Sequence, residues 1–138
     1  MITFNKTQQL FVLTGKNYTY AMHVNKYGYL RNVYYGDILP SCDNLMYMVD
    51  DIPVSFSPQP EEEVGRVFSV NDIPLEYSAY GRGDFRIPSA IICSTNGSTI
   101  CDLQYKSHFI TKGAVKKLIP PSTSIKYLYL YSLRYLFK

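Results

Sequence analysis

Gly15-Lys-Asn-Tyr-Thr-Tyr-Ala-Met-His-Val-Asn-Lys-Tyr-Gly-Tyr-Leu-Arg-Asn-Val-Tyr-Tyr35 holds two alternating apolar runs, 18–24 and 29–35, each introduced by turn residues. Those turns are Gly15-Lys16-Asn17 and Lys26-Tyr27-Gly28. A side-chain period of two, broken at short intervals by turn formers, is the pattern of antiparallel hairpins. The same rhythm recurs at 2–5, 9–13, 87–93, 99–110 and 125–137. A meander of this kind must stack on a second sheet to bury its inner face. The expected fold class is therefore all-β, an antiparallel β-sandwich of supersandwich type, complete or cut short. Composition agrees: 14 Tyr, 7 Phe and no Trp in 138 residues favour strands, and 46% hydrophobic against 18% charged residues excludes disorder.

Working outward, Asn96-Gly97 between Ile91-Ile92-Cys93 and Thr99-Ile100-Cys101 predicts a two-residue hairpin turn with φ positive at both central residues. That register pairs Thr95 with Ser98 and sets Cys93 and Cys101 on opposite faces, where they cannot bond. It also groups Ala90, Ile92, Cys101, Leu103 and Tyr105 on the side expected to face the core. Three cysteines without Cys-x-x-Cys or paired-His spacing predict neither a disulfide framework nor a metal site.

Residues 1–103 carry seven bases against eleven acids, a net −4, and the remainder carries seven bases and no acid. The basic stretch, with Lys106, Lys112, Lys116, Lys117, Lys126, Arg134 and Lys138, could meet nucleic acid, but solvated strand faces account for it as well. No apolar run approaches the roughly 20 residues of a membrane-crossing helix, and the start lacks a basic segment followed by an apolar block. A cytoplasmic protein without a membrane partner is expected. Residues 37–65 break the rhythm with four prolines and Glu61-Glu62-Glu63. An excursion of that length with Leu45-Met46-Tyr47-Met48-Val49 inside it is expected to dock on something.

No self-contained catalytic constellation emerges. Asp50-Asp51 are adjacent and converge poorly on one substrate atom. His23 and His108 have no acid at helical or strand spacing to orient them. Neither a Gly-x-Ser-x-Gly elbow nor a phosphate-cradling loop occurs, and no cofactor is expected. The densest segment is Tyr77-Ser-Ala-Tyr80-Gly81-Arg82-Gly83-Asp84-Phe85-Arg86-Ile87-Pro88. Two glycines for unusual φ and an acid flanked by arginines predict a packed polar corner of Tyr80, Gly81, Gly83, Asp84 and Arg86, tied by charge-assisted hydrogen bonds.

Three stretches carry a family resemblance: Tyr27-Gly-Tyr-Leu-Arg-Asn-Val-Tyr-Tyr-Gly36, Glu76-Tyr-Ser-Ala-Tyr-Gly-Arg-Gly-Asp-Phe-Arg-Ile-Pro-Ser89, and Asn96-Gly-Ser98 with Asp102-Leu-Gln-Tyr-Lys-Ser-His-Phe-Ile-Thr-Lys-Gly113. In this order they resemble the N-terminal domain of the family-36 glycoside hydrolases, the bacterial-type α-galactosidases. The resemblance implies a β-supersandwich placed ahead of a (β/α)₈ barrel, where two aspartates run a retaining hydrolysis of terminal α-galactosides such as melibiose and raffinose. The barrel's motifs have no counterpart in this chain, so it is expected to be inactive alone, serving assembly and the rim of the sugar site. Its implied partners are a catalytic barrel domain or neighbouring subunit and an α-galactoside. Arg66 is similar to an arginine that a sandwich loop lends to a neighbour's sugar pocket, with Asp50 or Asp51 as the accompanying acid. Tyr35 stands where the family has Trp, and resemblance stops at Ser122. Residues 1–121 are therefore expected to be the sandwich domain and 122–138 an atypical Tyr/Leu-rich strand or tail. The alternatives are a free-standing module binding carbohydrate through exposed tyrosines or another protein, and nucleic-acid binding through the basic tail.

Overall fold

The computed structural model describes residues 1–49, 69–81, 83–112 and 131–137. Their strands are β1 (Ile2–Asn5), β2 (Leu10–Thr14), β3 (Tyr18–Val24), β4 (Leu30–Asp37), β5 (Tyr105–Lys112) and β6 (Tyr131–Phe137). They form two antiparallel sheets, β1-β2-β3-β4 and β5-β6. The helical content among the described residues is two 3-10 turns, Leu45–Met48 and Val70–Asp72, and none is long and apolar enough to cross a membrane.

The register Phe11↔Met22, Val12↔Ala21, Leu13↔Tyr20 sorts the larger sheet's side chains. Phe11, Met22, Val24 and Leu30 share one buried face, joined by Phe4 and by Tyr105 of β5. Leu10, Val12 and Ala21 share the other, covered by Leu45 with Leu39, Cys42 and Met46 around it. The excursion after β4 thus begins by docking on the chain's own sheet, and the Leu39 N–H donates to the buried Thr19 Oγ1 at 3.0 Å. Its continuation through 50–68 lies outside the described residues. On the Phe11 face, Phe4 and Phe11 sit 4.4 Å apart by ring centroid, and His108 of β5 meets them edge-on at 4.4 and 4.7 Å. The Tyr105 N–H donates to the Gly28 carbonyl at 2.7 Å, pinning the start of β5 to the β3–β4 turn.

The first four strands fall where the alternation places them. Of the later runs, 125–137 is laddered as β6 over its described part, Tyr131–Phe137, and two depart from expectation. Residues 87–93 form no strand beyond a parallel bridge between Ala79 and Ala90, and of 99–110 only the part from Tyr105 is laddered. The turn at Asn96-Gly97 also differs from the two-residue form. The Ser94 N–H donates to Ser98 O at 2.8 Å and the Gly97 N–H to Ser94 O at 2.9 Å, which makes a three-residue loop. Left-handed backbone is confined to Gly97, with φ of 83°, while Asn96 Oδ1 accepts from the Ser98 N–H at 3.0 Å. An Asn whose side chain closes on the backbone two residues ahead keeps its own φ negative, so only the glycine turns. The β3–β4 turn has the same build: Asn25 O accepts from the Gly28 N–H at 2.9 Å, and φ of Gly28 is 86°. Closing on Ser94 and Ser98 shifts the expected register by one and removes the pairing that set Cys93 and Cys101 on opposite faces. All three cysteines are free thiols. Ala90 and Ile92, expected in the core, are exposed, whereas Cys101, Leu103 and Tyr105 are half-buried.

Because Phe11 is fully buried between two layers, Phe11→Ala is expected to lower folding stability by about 3–5 kcal/mol, read from urea denaturation midpoints at constant m-value.

Candidate functional site

The segment after Ser69 returns to the larger sheet and carries the polar groups. The Asn32 N–H donates to Pro74 O at 2.8 Å and the Glu76 N–H to Leu30 O at 3.0 Å, so 74–76 lies along the outer edge of β4. The chain then turns through Tyr80, Gly81, Gly83, Asp84 and Arg86. Gly81 holds φ of 104°, and a Cβ there would stand 2.8 Å from Ile100 Cγ2, so any other residue would strain the backbone and displace Ile100. Its carbonyl accepts from the Asp84 N–H at 3.2 Å, tightening the bend. This turn buries the Asp84 carboxylate and aims it at Arg86.

The pair is a two-pronged fork. Arg86 Nε donates to Asp84 Oδ1 at 2.8 Å and its terminal nitrogen to Oδ2 at 3.0 Å. The other guanidinium donors reach Ile73 O at 2.5 Å and Val70 O at 2.9 Å. One arginine thereby ties its own loop to the 3-10 turn that closes the excursion. Tyr80, expected within the packed corner, is exposed. Arg82, Asp50, Asp51 and Arg66 lie outside the described residues.

Beside this corner is a shallow recess of about 240 Å³ including its open mouth, lined by Tyr29, Tyr77, Ala79, Asp84, Cys101 and Asp102 among others. Two carboxylates meet it, but each is committed within the chain. Asp84 is held by Arg86, and Asp102 accepts from the Tyr29 hydroxyl at 2.8 Å and from Gln104 Nε2 at 3.3 Å. A retaining glycosidase pair needs carboxyl groups about 5–5.5 Å apart and free to attack and protonate. Among the described residues no group of three or more His, Cys, Asp or Glu is placed to hold a metal. Burial and then the Asp43 charge push the Cys42 thiol pKa up, which disfavours its thiolate.

Two further constellations had no local signal in the sequence. Tyr18, Tyr20 and Tyr35 meet on one face, with Tyr20 edge-on to Tyr35 at 5.7 Å and Tyr18 tilted at 6.3 Å. Tyr18 and Tyr35 are exposed. The Tyr20 hydroxyl donates to Glu76 Oε2 across 56 residues of sequence, and burial holds the Glu76 carboxyl above the usual range. The second is Tyr105 with His108: the phenol, its pKa raised by burial, stands 2.5 Å from His108 Nδ1. A phenol that keeps its proton donates to Nδ1, which requires the neutral imidazole.

The family model described as Glycosyl hydrolase family 36 N-terminal domain matches residues 28–126, carrying the resemblance past Ser122. Alpha-galactosidase AgaA of Geobacillus stearothermophilus is 32% identical over 126 residues, which is 91% of this chain and 17% of the relative. Among solved structures, the GH36 alpha-galactosidase AgaB of the same organism aligns with TM-score 0.80 and 31% identity, over 99% of this chain and 18% of that one. A variant of AgaA in complex with raffinose aligns with TM-score 0.67 and 36% identity, over 78% and 15%. The chain thus spans less than a fifth of the length of the relatives it matches.

Asp84→Asn keeps the shape of the corner and removes its charge. With Arg86 about one third exposed (34%), the expected loss is about 1–2 kcal/mol, below the cost of breaking a sealed pair, and urea titration reads it. Burial lowers the His108 pKa, so the native state favours the neutral ring. That contribution is complete above the unfolded value near 6.5 and is lost as pH falls through the lower folded value. The thermal midpoint is expected to drop between pH 7 and pH 5, and His108→Phe to flatten that slope.

Proposed function

The chain belongs to the glycosyl hydrolase family 36 N-terminal domain family, and from that membership we propose that it is a non-catalytic portion of an α-galactosidase, serving assembly and the rim of the sugar site. What carries the reading is that nearly all of this chain matches a small share of a much larger α-galactosidase. The inner chemistry supports it. Asp84, Asp102 and Glu76 each accept hydrogen bonds from the chain's own donors, as structural carboxylates do, and none is left facing the recess alone.

In this proposal the cleaving carboxylates belong to a barrel domain elsewhere in the enzyme, and the substrates are terminal α-galactosides such as raffinose, the sugar bound by the AgaA relative. Arg66 and Asp50 or Asp51 hold sugar hydroxyls at a seam with a neighbouring subunit, since a guanidinium and a carboxylate can grip hydroxyls without bond chemistry. Residues 1–121 form the sandwich unit, and 122–138 add to it the strand that pairs with β5. Three free thiols suit the reducing cytoplasm as its compartment.

One observation favours a second reading, carbohydrate binding by a free-standing module: the exposed Tyr18 and Tyr35 beside Tyr20 and Glu76 offer flat aromatic faces next to a carboxylate.

The purified chain is expected to release no nitrophenol from 4-nitrophenyl α-galactopyranoside. A chimera carrying it in place of the matched 18% of AgaB is expected to hydrolyse that substrate. In the chimera, Arg66→Ala and Asp51→Asn should raise KM for raffinose. Tyr35→Ala, by contrast, would weaken raffinose binding to the isolated chain only under the second reading, as followed by calorimetry.

A further inference from the structure

Residues 78–81, 89–91 and 100–103 form a thin layer with two unlike sides. Ala79 bridges Ala90, the Ser89 N–H donates to Ser78 O at 2.9 Å, and the Cys101 N–H donates to Tyr80 O at 2.9 Å, so the three segments lie side by side. Inward, Ala79, Gly81, Cys101 and Leu103 line the recess against Tyr29 and Val70. Alternation then turns Tyr80 and Ile100 outward. Tyr80 is 55% exposed and Ile100 64%, with Ile91 at 71% and Ile87 at 92% on the neighbouring segment.

A layer with one face on the core and the other open to water ordinarily shows polar residues on the open side. Here residues 87–101 contain no Asp, Glu, Lys or Arg at all. Large apolar side chains exposed along a stretch without charge mark an interface, and the lack of charge selects a partner by shape and apolar area, as in permanent assemblies.

We propose that this face seats the larger remainder of a family 36 α-galactosidase polypeptide, through an extended, apolar, charge-poor layer that completes the sandwich. The inference rests on the reading of the chain as one portion of such an enzyme. Coverage favours that occupant over a second copy of the chain, because 99% of it aligns with 18% of AgaB, leaving most of that polypeptide to be packed against something.

The test is hydrogen exchange of residues 87–101, followed by mass spectrometry in the chain alone and in the AgaB chimera, with 4-nitrophenyl α-galactopyranoside hydrolysis assayed in parallel. Exchange should be fast in the chain at every concentration and slowed at least about 100-fold in the chimera. Ile87→Asp with Ile91→Asp should restore fast exchange in the chimera while leaving the melting midpoint of the chain alone unchanged. An active chimera whose residues 87–101 exchange as fast as in the chain alone overturns the surface and leaves the functional reading standing. Protection that grows with concentration in the chain alone also overturns it, giving the face to a second copy. A chimera that protects the segment yet fails to hydrolyse upholds the surface and sinks the functional reading.

Discussion

A sheet covered on both faces tolerates no error of register, and that constraint organises this chain. Leu10, Val12 and Ala21 point one way and Phe11, Met22 and Leu30 the other. A slip of one residue between β2 and β3 would exchange every contact with the excursion for one with β5. The registers on either side, β1–β2 and β3–β4, are set by local devices: Asn5 Oδ1 accepting from the Thr7 and Gln8 N–H groups, and Asn25 Oδ1 accepting from those of Tyr27 and Tyr29. Each asparagine sits where a strand ends and closes the turn that follows it.

What was legible in the sequence follows the range over which each force acts. β1 to β4 are hairpin partners, so alternation and turn chemistry describe them nearly completely. The run at 87–93 alternates as well as any of these, yet it has Ser78 and Ala79 beside it rather than a partner strand. A pattern of two records which side chains share a face and not whether a ladder forms. The Asn96-Gly97 dipeptide misled for a related reason: with Asn96 bonded to the Ser98 N–H, the loop needs one left-handed residue and not two.

The corner was readable because its parts are close in sequence: two glycines, an acid and an arginine within six residues. Its reach was not. Nothing near Arg86 announces that its guanidinium also holds the carbonyls of Val70 and Ile73. Likewise the links from Tyr29 to Asp102 and from Tyr20 to Glu76 join residues 73 and 56 apart, and local patterns are silent at that distance. The three ties do different work: Tyr20 with Glu76 fastens the signature segment to the meander, Tyr29 with Asp102 fastens the stretch before β5 to it, and Arg86 fastens the signature segment to the 3-10 turn ahead of it. The proposed sugar contacts at Asp50, Asp51 and Arg66 fall between two anchored ends, Leu45 in the core and Ser69 buried beyond them.

The contact of Phe11 with Tyr105 and His108 also imposes an order of events during synthesis. The meander through Asp37 is built from neighbouring hairpins and can close as soon as it leaves the ribosome, whereas its Phe11 face waits for residue 105. At about 5–20 residues per second that interval lasts about 3–14 s. For those seconds a finished sheet presents an uncovered aromatic surface to solvent, so the nascent chain is most exposed to aggregation and to chaperone capture while the 38–104 segment is being translated.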